Sequence, residues 1–223
     1  MPAARAGCVW TKSRPAVATC WSCQQHVQRF AGIQQVLTAI QCTVKSHGPS
    51  KVNTVNTSAS IEEIARLERR LRDSHGSFVS IGTAESATAG RIADRITEVP
   101  GASDYFLGGI VTYSNLAKER LLGVKSATLR EYGAVSAQVA LQMAEGARRA
   151  LACDVAVSDT GIAGPGGATI DKPVGLFYLG LATPRGCEAF RFVFRGVRSA
   201  NKEMAVEAAV RLLIDYLLQC CNA

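Results

Sequence analysis

The chain has 223 residues, 48% of them apolar, enough to bury one good core and to favour one domain or at most two. Its net charge of +7 belongs to the first sixty residues, where Arg5, Lys12, Arg14, Arg29, Lys45 and Lys51 stand without an Asp or Glu and leave a net of +1 for the remainder. That remainder has no Lys/Arg stripe interleaved with aromatics, so nucleic-acid binding by it is not expected, and no apolar run reaches the roughly 18 residues of a membrane span.

Residues 1–59 read as a basic, acid-free N-terminal extension, disordered or a leader, with no sustained helical or strand period; only 27–44 has the apolar content for a short helix. A transit peptide, a disordered tail and an over-extended start share this composition, and it does not separate them. No secretory signal is present, so a soluble, cytoplasmic protein is expected, with organelle targeting by residues 1–59 as the alternative. Eight cysteines divide evenly between Cys8, Cys20, Cys23 and Cys42 in the extension and Cys153, Cys187, Cys220 and Cys221 beyond it. Cys20 and Cys23 have CxxC spacing but no second pair at a matched interval, so no metal is expected there. The later four read as free thiols of a reducing compartment.

Regular structure is expected over residues 60–220. Ser60-Ile61-Glu62-Glu63 has the form of a capping box, and Ile61, Ile64, Leu67 and Leu71 recur on one face until Gly76. A buried strand over 78–83 leads to a helix over 88–99. A second strand over 107–113 feeds a short helix over 115–122. A longer helix from Ser136 carries Val139, Met143, Ala147 and Leu151 in register, and a third strand follows over 154–159. Runs over 174–182 and 187–194 flank Thr183-Pro184-Arg185-Gly186 as a hairpin, and a last helix over 199–218 turns Met204, Ala208 and Leu212 inward. Strands alternating with helices predict an α/β fold with a five-stranded, mostly parallel sheet, one antiparallel member, and helices on both faces.

Loops at the carboxyl ends of neighbouring strands in such a sheet converge on one crevice. Ser86, in Ala84-Glu85-Ser86-Ala87-Thr88-Ala89-Gly90, lies just past the first of these strands and just before a helix, where amides at the helix start are available to a developing oxyanion. On this heptapeptide alone, capping of the helix by Ser86 or Thr88 is the simpler reading. Lys118 changes the balance: one turn into the helix after the neighbouring strand, it reaches the same crevice if apolar walls surround it, and a desolvated lysine serves as general base to a serine. His26, His47 and His75 lie away from these loops and offer no competing triad. The stretch Thr160-Gly161-Ile162-Ala163-Gly164-Pro165-Gly166-Gly167 allows close backbone approach to a ligand. It lacks the Gly-Lys-Ser/Thr ending of a P-loop and returns to a strand, which argues against nucleotide-triphosphate cleavage. Arg198 reads either as a phosphate contact or as a surface arginine.

Taken together, Ala84-Glu85-Ser86, the run from Gly109 to Asn115 with Tyr113 and Lys118, Gly123-Val124, Gly133-Ala134-Val135-Ser136, Thr160 to Pro165, and Lys172-Pro173-Val174-Gly175 resemble the CinA C-terminal domain family over about residues 60–219. The resemblance implies a three-layer α/β/α domain and a nicotinamide-nucleotide amidohydrolase. Such an enzyme converts the linear carboxamide of nicotinamide mononucleotide to nicotinate mononucleotide and ammonia, in pyridine-nucleotide salvage. It implies Ser86 as nucleophile, Lys118 as base, Tyr113 and Thr160 as polar groups of the site, and substrate contacts from Glu85, Thr88, Gly161, Ala163, Gly164, Gly166 and Arg198. It implies no cofactor and no metal, a small nucleotide substrate, no membrane partner and a homodimer. The family reads Ala-Glu-Ser-Cys-Thr-Gly-Gly where this chain has Ala87 and Ala89, a Cβ at 89 is expected to crowd the pocket, and Asp159 stands where a small or apolar residue is commoner. The alternative class is a non-enzymatic relative, a ligand-binding or interaction module tied to competence or DNA-damage responses.

Overall fold

A computed structural model describes residues 42–46, 57–76 and 78–222 of the chain. The Cys20/Cys23 pair and most of the 1–59 extension lie outside the described residues.

The expected five strands are present as β2 (Ile81–Glu85), β3 (Phe106–Val111), β4 (Val155–Gly161), β5 (Leu176–Thr183) and β6 (Gly186–Val193). Strand β1 (Cys42–Ser46) precedes them, so part of the segment expected to be helical is extended instead. It runs parallel along β6, with Cys42 opposite Cys187 and Ser46 opposite Arg191. The sheet order is β1-β6-β5-β4-β2-β3. Strands β2, β3 and β4 pair in parallel, and β5 alone runs against its neighbours β4 and β6, joined to the latter by the Pro184-Arg185 turn.

Among the described residues six α-helices cover the sheet: α1 (Thr57–His75), α2 (Arg91–Thr97), α3 (Asn115–Leu122), α4 (Ser126–Tyr132), α5 (Ala137–Leu151) and α6 (Arg198–Cys221). Side chains along a strand alternate between faces, and β4 shows what that does here. Val155 and Val157 join Ile64 and Leu67 of α1, Ile92 and Ile96 of α2, and Val210, Leu213 and Ile214 of α6 in one core. Ala156 faces the other way, into Leu122 of α3, Leu129 of α4, and Val139, Met143 and Ala147 of α5. The result is a three-layer α/β/α domain.

Some boundaries move for local reasons. Helix α1 begins at Thr57, so Ser60-Glu63 lies inside it rather than at its start. Strand β2 begins at Ile81 because the amides of Val79 and Ser80 donate to the side chains of Glu68 and Asp154 rather than to a neighbouring strand. Helix α2 begins at Arg91 because Ala89 and Gly90 both adopt positive φ, +58° and +95°, a conformation that cannot continue a right-handed helix. Strand β3 stops at Val111, which leaves Thr112 to Ser114 as the loop before α3.

Helix α3 is seated on α5 by a close approach. A Cβ built on Gly146 would lie 2.0 Å from the Leu122 carbonyl oxygen, a backbone atom that cannot swing aside. Gly146→Ala is expected to cost about 3 kcal/mol, read as a fall in melting temperature of about 6–12 °C. An unchanged melting temperature would show that α3 slides freely on α5.

Candidate active site

The turn from β2 into α2 is held by two buried carboxyl groups, one at each end. Alternation from Ile81 through Thr83 turns Glu85 toward α2, where it accepts the amides of Gly90 (2.7 Å), Ile92 (3.1 Å) and Ala93 (2.8 Å) and so caps that helix from the preceding strand. Asp159, near the end of β4, accepts the amides of Ser86 (2.9 Å), Ala87 (2.9 Å) and Thr88 (3.2 Å). The Thr88 hydroxyl lies between the two, in contact with Glu85 Oε2 and Asp159 Oδ1. Burial pushes the Asp159 carboxyl above its usual range, opposed by its hydrogen bonds from Thr88 and Ser86.

Lys118 is 1% exposed, among the largest fully buried side chains of the described residues. The Ser114 hydroxyl accepts from the Ala117 amide and caps α3, which sets the first turn so that Lys118 faces inward. Its Nζ donates to Ser86 Oγ at 2.9 Å and to the Thr112 carbonyl at 2.7 Å. Burial lowers its proton affinity, and the nearby Asp159 charge opposes the shift. Removal from water disfavours the ammonium, which is the condition for this amine to take the Ser86 proton across the same contact.

Ser86 and Lys118 open on a cleft of about 200 Å³ whose far wall is formed by Thr160, Gly161 and Ala163. Thr160 donates to the Ala134 carbonyl at 2.8 Å and holds the 134–135 wall in place. At the mouth Arg198, the first residue of α6, donates to the Gly164 carbonyl (2.8 Å) and to the Tyr113 hydroxyl (3.3 Å), and Tyr113 is otherwise largely exposed. Lys202, one turn further along α6, has its proton affinity lowered by burial and then by the charges of Arg91 and Arg198.

Ser86, Lys118, Tyr113, Thr160, Gly161, Ala163 and Arg198, all singled out in the sequence, line one cleft. Four expectations are corrected. Glu85 and Thr88 are fully buried beneath the turn with their oxygens committed to it, so they hold the site rather than touch a ligand. Gly164 contributes its carbonyl to Arg198, and Gly166 is exposed and does not line the cleft. The amides of Ser86, Ala87 and Thr88 point at Asp159 and are not available to an oxyanion. Ala89 is exposed and outside the cleft, so its Cβ does not crowd the pocket. Ala87, Asn115, Ala134 and Val135, present in the quoted motifs but given no site role there, also line the cleft, and Asp159 braces the Ser86 turn from beneath it.

What Ala89 costs is conformational, since its φ of +58° is disfavoured for any residue with a Cβ. Ala89→Gly is expected to stabilise by about 1 kcal/mol, a rise in melting temperature of about 2–4 °C. A fall would show that the unfolded-state entropy of glycine outweighs the relieved strain.

Among the described residues no group of three or more His, Cys, Asp or Glu is placed to hold a metal ion, and no helix is long and apolar enough to cross a membrane.

A family model described as the CinA C-terminal domain matches residues 64–217. The chain belongs to the CinA C-terminal domain family. A CinA-like protein of Geobacter sulfurreducens is 47% identical over 166 residues, 74% of this chain and 38% of that protein. A putative competence-damage inducible protein of Caldicellulosiruptor saccharolyticus is 51% identical over 135 residues, 60% of this chain and 33% of that one. The CinA domain chain thus spans about a third of the length of the curated relatives it matches. Among solved structures, the competence/damage inducible protein of Agrobacterium tumefaciens superposes with a TM-score of 0.65 at 37% identity, covering 74% of this chain and 96% of that one. A CinA superfamily protein of Enterobacter cloacae gives 0.67 at 29%, covering 77% and 98%.

Proposed function

We propose that this CinA-family domain hydrolyses the carboxamide of nicotinamide mononucleotide to the carboxylate, releasing ammonia. The observation that carries the reading is the 2.9 Å contact between Lys118 Nζ and Ser86 Oγ at the wall of a cleft that both residues line, with the lysine buried. The neutral Lys118 amine takes the Ser86 proton as Oγ attacks the carboxamide carbon. It then passes that proton to the departing nitrogen, so that ammonia leaves and an acyl-serine remains. Water, deprotonated by the same amine, releases the nicotinate nucleotide and restores Ser86. With the helix-start amides held by Asp159, the oxyanion is met from the opposite wall, where Gly161 and Ala163 line the cleft. Arg198 at the cleft mouth suits the nucleotide phosphate.

Incubation of the full chain with nicotinamide mononucleotide tests this, with ammonia and the deamidated nucleotide read separately. Equal yields of both are expected, with free nicotinamide turned over far more slowly because it lacks the phosphate. Saturable binding of the nucleotide without ammonia would instead support a binding module, a reading favoured by the loss of the helix-start amides as oxyanion donors.

A further inference from the structure

Asp159 is fully buried, does not line the cleft, and still makes more contacts with the Ser86 turn than any other side chain from outside it. Its Oδ1 takes the Ser86 amide, and its Oδ2 takes those of Ala87 and Thr88. Three successive amides converge on one carboxyl group only when the backbone curls around it, as in the anion-binding concavities that consecutive N–H groups form. Here the anion is supplied by the chain itself, from a residue 73 positions beyond Ser86.

We propose that Asp159 is the positioning residue of the nucleophile, setting the direction in which Ser86 Oγ leaves the turn so that it meets Lys118. The proposal rests on the reading of Ser86 as nucleophile. The turn does not hold itself: Ala89 and Gly90, immediately after it, both lie at positive φ, and the amides of Gly90, Ile92 and Ala93 are taken by Glu85. The amides of Ser86 to Thr88 therefore depend on Asp159 for their hydrogen bonds, while Glu85 takes the Thr88 hydroxyl and holds the start of α2. The charged groups around Asp159 are Glu85 from β2, Lys118 from α3 and Lys202 from α6. Rate in such a site is sensitive to aim, since a displacement of about 1 Å costs on the order of 100-fold.

Two measurements on the full chain test the proposal. Hydrogen exchange of the unaltered protein reads the clamp directly: the amides of Ser86, Ala87 and Thr88 are expected to exchange at least about 100-fold more slowly than an unstructured chain, and exchange at unstructured rates overturns the proposal. The second compares the unaltered protein with Asp159→Asn, which keeps the shape of the side chain and replaces one acceptor oxygen by a donor. Labelling of Ser86 by a fluorophosphonate, located by peptide mass spectrometry, is expected to slow by about 10- to 100-fold. For the nucleotide, kcat is expected to fall by a similar factor while KM stays within about twofold, because Asp159 does not line the cleft. Labelling and kcat equal to those of the unaltered protein, or a change in KM alone, overturn the positioning role while leaving Ser86 as nucleophile. No labelling of Ser86 in the unaltered protein overturns the nucleophile reading, and the proposal with it.

Discussion

Ser86→Ala is expected to lower amide hydrolysis by at least about 1,000-fold, with Lys118→Met close behind and the double variant hardly slower than either single. Nucleophile and base act as one unit, and the first loss already removes the pathway that the second would disable. Methionine suits the Lys118 position because the aliphatic stem is enclosed and only the amine makes polar contacts, to Ser86 Oγ and the Thr112 carbonyl. The pH dependence has a definite sign. Burial lowers the Lys118 proton affinity from its usual value, and only the uncharged amine accepts a proton. The rate therefore rises with pH as Lys118 loses its proton and levels off above that pKa, and this limb should vanish from the residual rate of Lys118→Met. Near-normal turnover in Ser86→Ala would transfer the chemistry to a directly activated water.

The pairing of Ser86 with Lys118 is legible because both follow adjacent parallel strands at the same end of the sheet, a relation that strand–helix alternation alone predicts. Glu85 is instructive in the opposite sense. Its place beside the nucleophile suggests a ligand contact, yet counting alternate residues from the buried Ile81 puts its side chain on the α2 face, away from the cleft. That signal was present in the pattern and was outweighed by the motif. Asp159 offers no comparable signal, since its partners lie 71 to 73 residues away and nothing in 155–161 indicates them. The short helix α4 has seven residues, fewer than two helical periods, and so leaves no readable apolar stripe. Strand β1 gains its order from pairing with β6, a contact that the composition of the extension does not encode.

At the opposite end of the sheet the expected effect is on stability. Glu68→Gln should leave the protein about as stable as the unaltered chain at pH 5 and make it clearly more stable at pH 9. Glu68 of α1 is fully buried; its Oε2 accepts the Val79 amide at 3.0 Å, while its Oε1 and the buried Tyr105 hydroxyl have no hydrogen-bond partner among the described residues. Burial is the main reason its pKa is pushed up to about 8, with the Val79 hydrogen bond opposing and the Asp154 charge reinforcing. An unfolded chain releases this proton near 4.5, so between that pH and about 8 the folded state holds a proton that the unfolded state has lost. The stability linked to it is fully present below 4.5 and is lost as pH rises through 8, because the unfolded state binds fewer protons over that interval. At 1.36 kcal/mol per pKa unit the loss is on the order of 3–5 kcal/mol. Glutamine stays neutral at every pH and retains a carbonyl oxygen for the Val79 amide, so it should escape the loss. Melting temperatures of the two proteins from pH 5 to 9 decide the matter: a gap that widens to about 6–20 °C is expected, and parallel curves would show that Glu68 ionises without cost, its charge being met by water that reaches Oε1.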